Sequence, residues 1–199
     1  KQGVAGQKPE TLKDIDLVGA RVSNHVIATA YKSLEAAANY VKDHGYEPVV
    51  LGDTITGEAQ EVGVAQAQLA REYLAKTNQA DKPIALISGG ECTVTIPAGT
   101  KGRGGRCSEY LLSLLAASAD LPKIAALAAD TDGIDGSEKN AGAWFDSDIR
   151  ESAKAHGANP NEYLTAHDCY GFFAQFGALV ETGPTLTNVN DFRIILLNK

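Results

Sequence analysis

Between residues 24 and 44 the apolar positions Val26, Ile27, Ala30, Leu34, Ala37, Ala38 and Val41 recur at helical spacing and predict a first helix. Asn24 is its expected N-cap, and Gly45 its expected stop, because glycine enters the left-handed conformation beyond a helix end without steric cost. Residues 48–51 then read as a short buried strand. Val62, Ala65, Leu69 and Tyr73 predict a second helix over residues 58–76. The unbroken apolar run at 84–87 predicts a strand buried on both faces. Residues 24–88 therefore read helix, strand, helix, strand, which is half of a doubly wound α/β unit.

Past Ser88 the pattern changes. Residues 93–96 alternate and predict a strand. Residues 108–119 predict a helix with Leu111, Leu112, Leu114 and Leu115 on its apolar side. Residues 124–129 form another apolar run. Helices are expected at 146–156 and 160–167, with Pro160 in the first turn of the latter, and short strands at 179–180 and 194–197. Trp144 and Phe145 are expected to fill core. Residues 1–16 are polar and read as an irregular lead-in. No internal repeat or low-complexity segment interrupts the pattern, and a domain boundary is placed near residues 80–90.

Composition narrows the classes. Eighteen Lys and Arg against 25 Asp and Glu leave a net charge of −7 across 199 residues, which argues against nucleic acid as a partner. No run approaches the ~18 apolar residues of a membrane span. Three scattered cysteines, Cys92, Cys107 and Cys169, support neither a disulfide framework nor a zinc site. A reducing, cytoplasmic setting is expected. The chain has no methionine, even at position 1, so a processed or partial chain is expected.

Four polar loops follow or join the predicted strands. Residues 88–91, Ser-Gly-Gly-Glu, let backbone amides approach an anion. Residues 99–106 hold four glycines and three cations, Lys101, Arg103 and Arg106, in an otherwise acidic chain. Amides and guanidinium groups in that density suit phosphate, and a helix opening at Ser108 would place the loop near an N-terminus that favours anions. Neither a Walker A loop nor a dinucleotide fingerprint is present. Residues 130–136 carry Asp130, Asp132 and Asp135, whose mutual repulsion calls for a cation; the spacing fails the EF-hand pattern, and Mg²⁺ shared with substrate phosphates fits better. Residues 182–191 are dense in short hydrogen-bonding side chains. Taken alone, each loop also reads as a turn. Together they are the parts of a phosphoryl-transfer site. The four histidines are scattered without ligand spacing, and Cys107 reads as an inert thiol despite Arg106 beside it.

Five ordered motifs carry a family resemblance: residues 88–95 (SGGECTVT), 102–106 (GRGGR), 129–136 (ADTDGIDG), 141–143 (AGA), and 182–185 with 187–191 (TGPT, TNVND). The chain resembles the two-domain glycerate 2-kinases of the MOFRL family, some of which carry the older label hydroxypyruvate reductase. The resemblance implies an α/β fold, with residues 1–83 as the end of a Rossmann-like first domain and 84–199 as a smaller α/β MOFRL-type domain. It implies transfer of the γ-phosphoryl of ATP to the 2-hydroxyl of D-glycerate, with Mg²⁺, in a cleft between the domains. Arg106 would stabilise the transferring charge. Ser88, Gly89, Gly90, Glu91 and Thr93 would line the cleft and, with Gly102, Gly104 and Gly105, bind ATP. Asp130 or Asp132 would hold Mg²⁺ or position the substrate hydroxyl. Thr187, Asn188, Asn190 and Asp191 would shape the substrate end. A homodimer and the absence of a membrane partner complete the expectation. The sequence departs from the family at Cys107-Ser108-Glu109 and at Leu186, where a glycine is common. The family's important first-domain lysine has no counterpart here, so the chain is expected to be inactive alone. Alternatives are a hydroxypyruvate reductase and a non-catalytic module that binds a phosphorylated metabolite.

Overall fold

The structure is a computed structural model that describes residues 28–77, 82–121 and 123–198, with Gly19, Ser23, His25 and Val26. The expected cap Asn24 and the lead-in 1–16 lie outside the described residues. Helix α1 (Ala30–Asp43) is capped by Thr29, whose hydroxyl accepts from the Lys32 amide at 3.3 Å. Gly45 follows its C-cap at φ +90, as the stop signal requires. Strand β1 (Glu47–Gly52), helix α2 (Ala59–Lys76) and strand β3 (Ile84–Gly90) come next. β1 and β3 pair in parallel with α2 as the crossover, as expected from the 24–88 pattern.

The remaining elements are α3 (Arg106–Ala117), β5 (Ile124–Asp130), β6 (Gly142–Phe145), α4 (Ser147–Ala155), α5 (Pro160–Thr165), α6 (Cys169–Gln175), β7 (Leu179–Val180) and β8 (Asp191–Leu197). One six-stranded sheet runs β1-β3-β8-β5-β6-β7. Only its β1–β3 pair is parallel; β8 enters antiparallel to both β3 and β5. A separate two-stranded ladder joins β2 (Gly57–Glu58) to β4 (Cys92–Thr93). The α/β class read from the sequence holds, with a mixed sheet.

β3 is buried along its whole length, which explains its unbroken apolar run. Ala85 and Ile87 meet Leu34 and Val41 of α1 on one face. Ile84 and Leu86 enter the larger core on the other face, with the four leucines of α3, Phe145, Phe172 and Phe173. Each large apolar side chain so buried contributes about 1.5–3 kcal/mol. Arg106 through Glu109 start α3 two residues before the expected Ser108. The strand expected at 93–96 shrinks to Cys92–Thr93, because the Glu58 carboxylate captures the Thr93 and Thr95 hydroxyls and the Thr95 amide. β6 and α6 have four and seven residues, too short to show a period in the sequence. No described helix is long and apolar enough to cross a membrane.

Candidate active site

Asp130 ends β5 and Asp191 begins β8, and the sheet register sets them directly opposite each other. Two buried carboxylates so placed repel unless a cation stands between them. Arg106, in the first turn of α3, supplies it. Its Nε donates to Asp191 Oδ1 at 2.8 Å and its Nη2 donates to Asp130 Oδ2 at 2.5 Å. The exposed Glu91 lies 3.7 Å from the same Nη2. Asp191 spends its second oxygen on Arg193, whose Nη2 donates at 2.8 Å. Arg193 is 1% exposed and stands 5.1 Å over the Tyr110 ring, and its Nε and Nη1 meet no partner among the described residues. Burial pushes the Asp130 carboxyl above its usual value, against the Asp132 amide and the Arg106 charge. Burial works to lower the Arg106 pKa, but Asp191 and Asp130 overcome it and hold the guanidinium cationic.

The N-cap of α3 is Gly105, which has no side chain to cap the helix. Asp135 from the acidic loop does so instead. It accepts from the Cys107 amide at 2.9 Å, the Ser108 amide at 2.8 Å and the Ser108 hydroxyl at 2.6 Å. The anion at this helix N-terminus is therefore the protein's own carboxylate, and the expected phosphate seat on these amides is taken. The glycines serve close packing. A Cβ on Gly102 would fall 2.1 Å from the Ala166 carbonyl oxygen, and one on Gly105 would fall 2.3 Å from Asp135 Oδ1. Gly104 stands at φ +134. Cys107 is fully buried, and burial raises its thiol pKa well above normal, so it is inert as expected.

The acidic and hydroxyl-rich loops are laced together through Thr131. Its hydroxyl donates to the Asn190 carbonyl at 2.7 Å and accepts from the Val189 amide at 2.8 Å. The Thr185 hydroxyl donates to the Thr131 carbonyl, and the Thr185 amide to the Asp132 carbonyl at 3.0 Å. Asn188 accepts from the Asn190 amide at 3.0 Å, and Thr187 and Asn188 are exposed. Leu186 is 97% exposed at φ +62, a conformation that costs a residue with a side chain about 1–2 kcal/mol relative to glycine.

The structure thus brings together Arg106, Glu91, Asp130 and Asp191, with Thr187, Asn188 and Asn190 on the loop tied to the acidic one. Others stand apart. The Ser88 side chain is buried and accepts from Gln66, which in turn accepts from Tyr110. Gly89 lets β3 approach the Asp191 carbonyl, and Gly90 lets it approach Ile55. Thr93 is tied to Glu58. A cleft of about 240 Å³ opens beside Arg106, lined by Cys92, Val94, Gly102, Gly104, Glu109 and His167 among others. The sequence reading missed His167 in this role, because its partner Glu109 is 58 residues away and no local spacing marks the pair.

Among the described residues no three His, Cys, Asp or Glu side chains converge as metal ligands. Asp130 spends Oδ2 on Arg106 and Oδ1 on the Asp132 amide. Asp132 spends Oδ1 on the Ile134 amide, and its Oδ2 meets no donor among the described residues. That set fits Mg²⁺ only as an ion held by one carboxylate and by phosphate oxygens, the usual partial-cage form.

The fold and these strand ends define an α/β protein with a charged cleft built around one arginine. Residues 84–191 match the MOFRL family, and the chain belongs to that family. It is 46% identical to a putative hydroxypyruvate reductase of Agrobacterium vitis, over 89% of this chain and 46% of the relative. It is 32% identical to the D-glycerate 2-kinase of Thermotoga maritima, over 99% of this chain and 45% of the relative. The crystal structure of a Thermotoga maritima glycerate kinase superposes with a TM-score of 0.81 at 32% identity, over 98% of this chain and 49% of that one. A Pyrococcus horikoshii protein superposes equally well, with a TM-score of 0.81 at 33% identity, over 100% of this chain and 44% of that one. The chain spans less than half the length of these relatives.

Proposed function

We propose that the chain supplies part of the active site of a cytoplasmic kinase that transfers the γ-phosphoryl of ATP to the 2-hydroxyl of D-glycerate. In this reading residues 1–83 end a Rossmann-like first domain and residues 84–199 form the MOFRL-type domain. The observation that carries the reading is Arg106, fixed by Asp130 and Asp191 in the lining of the glycine-lined cleft. Phosphoryl transfer needs positioning and charge neutralisation more than a nucleophile on the protein. A guanidinium held by two carboxylates is pre-aimed, so it does not reorganise as charge builds on the transferring group. Asp191, with both oxygens engaged, acts through Arg106 and Arg193 rather than on substrate directly. Asp132 would hold Mg²⁺ together with the phosphates, and the ion would neutralise phosphate charge there. Glu91, Gly102, Gly104 and Gly105 border the nucleotide. Thr187, Asn188 and Asn190 face the hydroxy-acid.

The names borne by glycerate kinase relatives support this reading; the 46%-identical relative's name favours hydride transfer to hydroxypyruvate. One pair of assays separates them. The complete enzyme is given ATP, Mg²⁺ and D-glycerate with ADP release followed, and separately NADH and hydroxypyruvate with absorbance followed. Glycerate-dependent ADP release, with 2-phosphoglycerate seen by phosphorus NMR, is expected. NADH oxidation without ADP release would replace the kinase reading. Nucleotide binding without either turnover would mark a binding module.

A further inference from the structure

We infer that His167, oriented by Glu109, is the proton acceptor of the cleft: its Nε2 takes the hydroxyl proton of the alcohol that attacks the phosphoryl donor. The inference rests on the kinase reading and adds a residue to it. His167 stands in the turn between α5 and α6 at φ +52, a conformation that histidine visits uncommonly and that the surrounding fold must hold. Gly102 presses on its backbone carbonyl, where no Cβ would fit. Its Nδ1 lies 3.0 and 3.1 Å from the two Glu109 oxygens. The Glu109 side chain is 6% exposed and also accepts from Gln60 Nε2 at 2.8 Å, so it is itself fixed. A carboxylate on Nδ1 sets the tautomer and leaves Nε2 as the acceptor, the arrangement by which a third group orients a general base. His167 and Arg106 line the same cleft of about 240 Å³, so the base and the charge-stabilising group border one space.

Glu109 on α3 pairs with His167, Glu58 at the N-cap of α2 acts on it through space, Arg106 of α3 lines the same cleft, and Asp168, next in the chain, is paired to Arg103 of the glycine-rich loop. After the Thr93 and Thr95 hydrogen bonds, the histidine is among the groups that lower the Glu58 pKa. In the step itself, the alcohol oxygen forms a bond to the γ-phosphorus as its proton passes to Nε2. The bond from that phosphorus to the bridging oxygen breaks, and ADP leaves with the electron pair. Glu109 balances the imidazolium until solvent takes the proton.

The test is the pH profile of kcat for the complete enzyme with ATP and D-glycerate, wild type against His167→Asn and Glu109→Gln. Asparagine tolerates the left-handed backbone, so His167→Asn keeps the turn. It is expected to lower kcat about 10²–10⁴-fold, to leave the KM for ATP near wild type, and to abolish the acid limb of the profile. Glu109→Gln is expected to lower kcat less and to displace that limb. Wild-type kcat with an unchanged acid limb in His167→Asn overturns the inference and leaves the kinase reading standing. If His167→Asn does not fold, an undisplaced limb in Glu109→Gln overturns it. Wild type without glycerate-dependent ADP release removes the kinase reading and this inference with it.

Discussion

Arg106 answers two demands at once. Structurally it keeps Asp130 and Asp191 from facing each other unscreened, and chemically it presents a cation at the cleft. The two roles separate in Arg106→Lys. Lysine retains the charge between the carboxylates but lacks the planar fork that reaches both with fixed geometry. The complete enzyme carrying Arg106→Lys is expected to stay folded while kcat falls by roughly 10²–10³-fold, the usual cost of losing one transition-state donor. Steady-state kinetics beside thermal melting checks this; wild-type turnover would remove Arg106 from the chemistry. The arginine was legible in the sequence from its glycine-rich, cationic loop. Its counter-ions were legible only in part: Asp130 and Asp191 were singled out as a metal ligand and a substrate contact, while their pairing across the sheet depends on a register that no local pattern encodes. Arg193, buried behind them, gave no signal, since a charged residue in an apolar strand run looks like a solvated one.

At the scale of elements, α3 and its borrowed cap carry the site. Asp135 fixes the first turn of the helix and therefore the place from which Arg106 projects. Asp135→Ala removes an N-cap and strands buried amides, and is expected to cost about 2–3 kcal/mol, read as a lower midpoint in urea unfolding. Beside the β2–β4 ladder a different carboxylate, Glu58, gathers the Thr93 and Thr95 hydroxyls and the Thr95 amide. Hydrogen bonds from Thr93 and Thr95 hold Glu58 below its ordinary value of 4.5. A lowered folded pKa means the contribution is complete above pH 4.5 and is lost as pH falls through the folded value. The Thr95 amide resonance is expected to move in that acid window, and to stop moving in Glu58→Gln. Most helices and strands were legible because their apolar periods span two turns or more, or form unbroken runs. The strand expected at 93–96 failed because side-chain hydrogen bonds to Glu58 displaced ladder pairing, a competition that alternation cannot reveal.

For the whole molecule, the parallel β1–β3 unit was visible in the sequence, whereas the antiparallel entry of β8 was not, because strand order is set by contacts between distant segments. The relatives are about twice as long as this chain, and the kinase reading places further catalytic groups in their remaining length. The 199-residue chain alone is therefore expected to fold cooperatively, by circular dichroism, yet to release no glycerate-dependent ADP. The position of β8 has a consequence for synthesis. The strand at residues 191–197 is the keystone between β3 and β5, with ladders on both sides. While the ribosome is still making it, β1–β3 and β5–β6–β7 exist as two half-sheets with open edges, and such edges invite pairing with the wrong strand. Nascent chains thus carry this aggregation hazard until residues 191–197 are made, and closing that gap also brings Asp191 to Arg106, so the sheet and the charged centre are completed in one event.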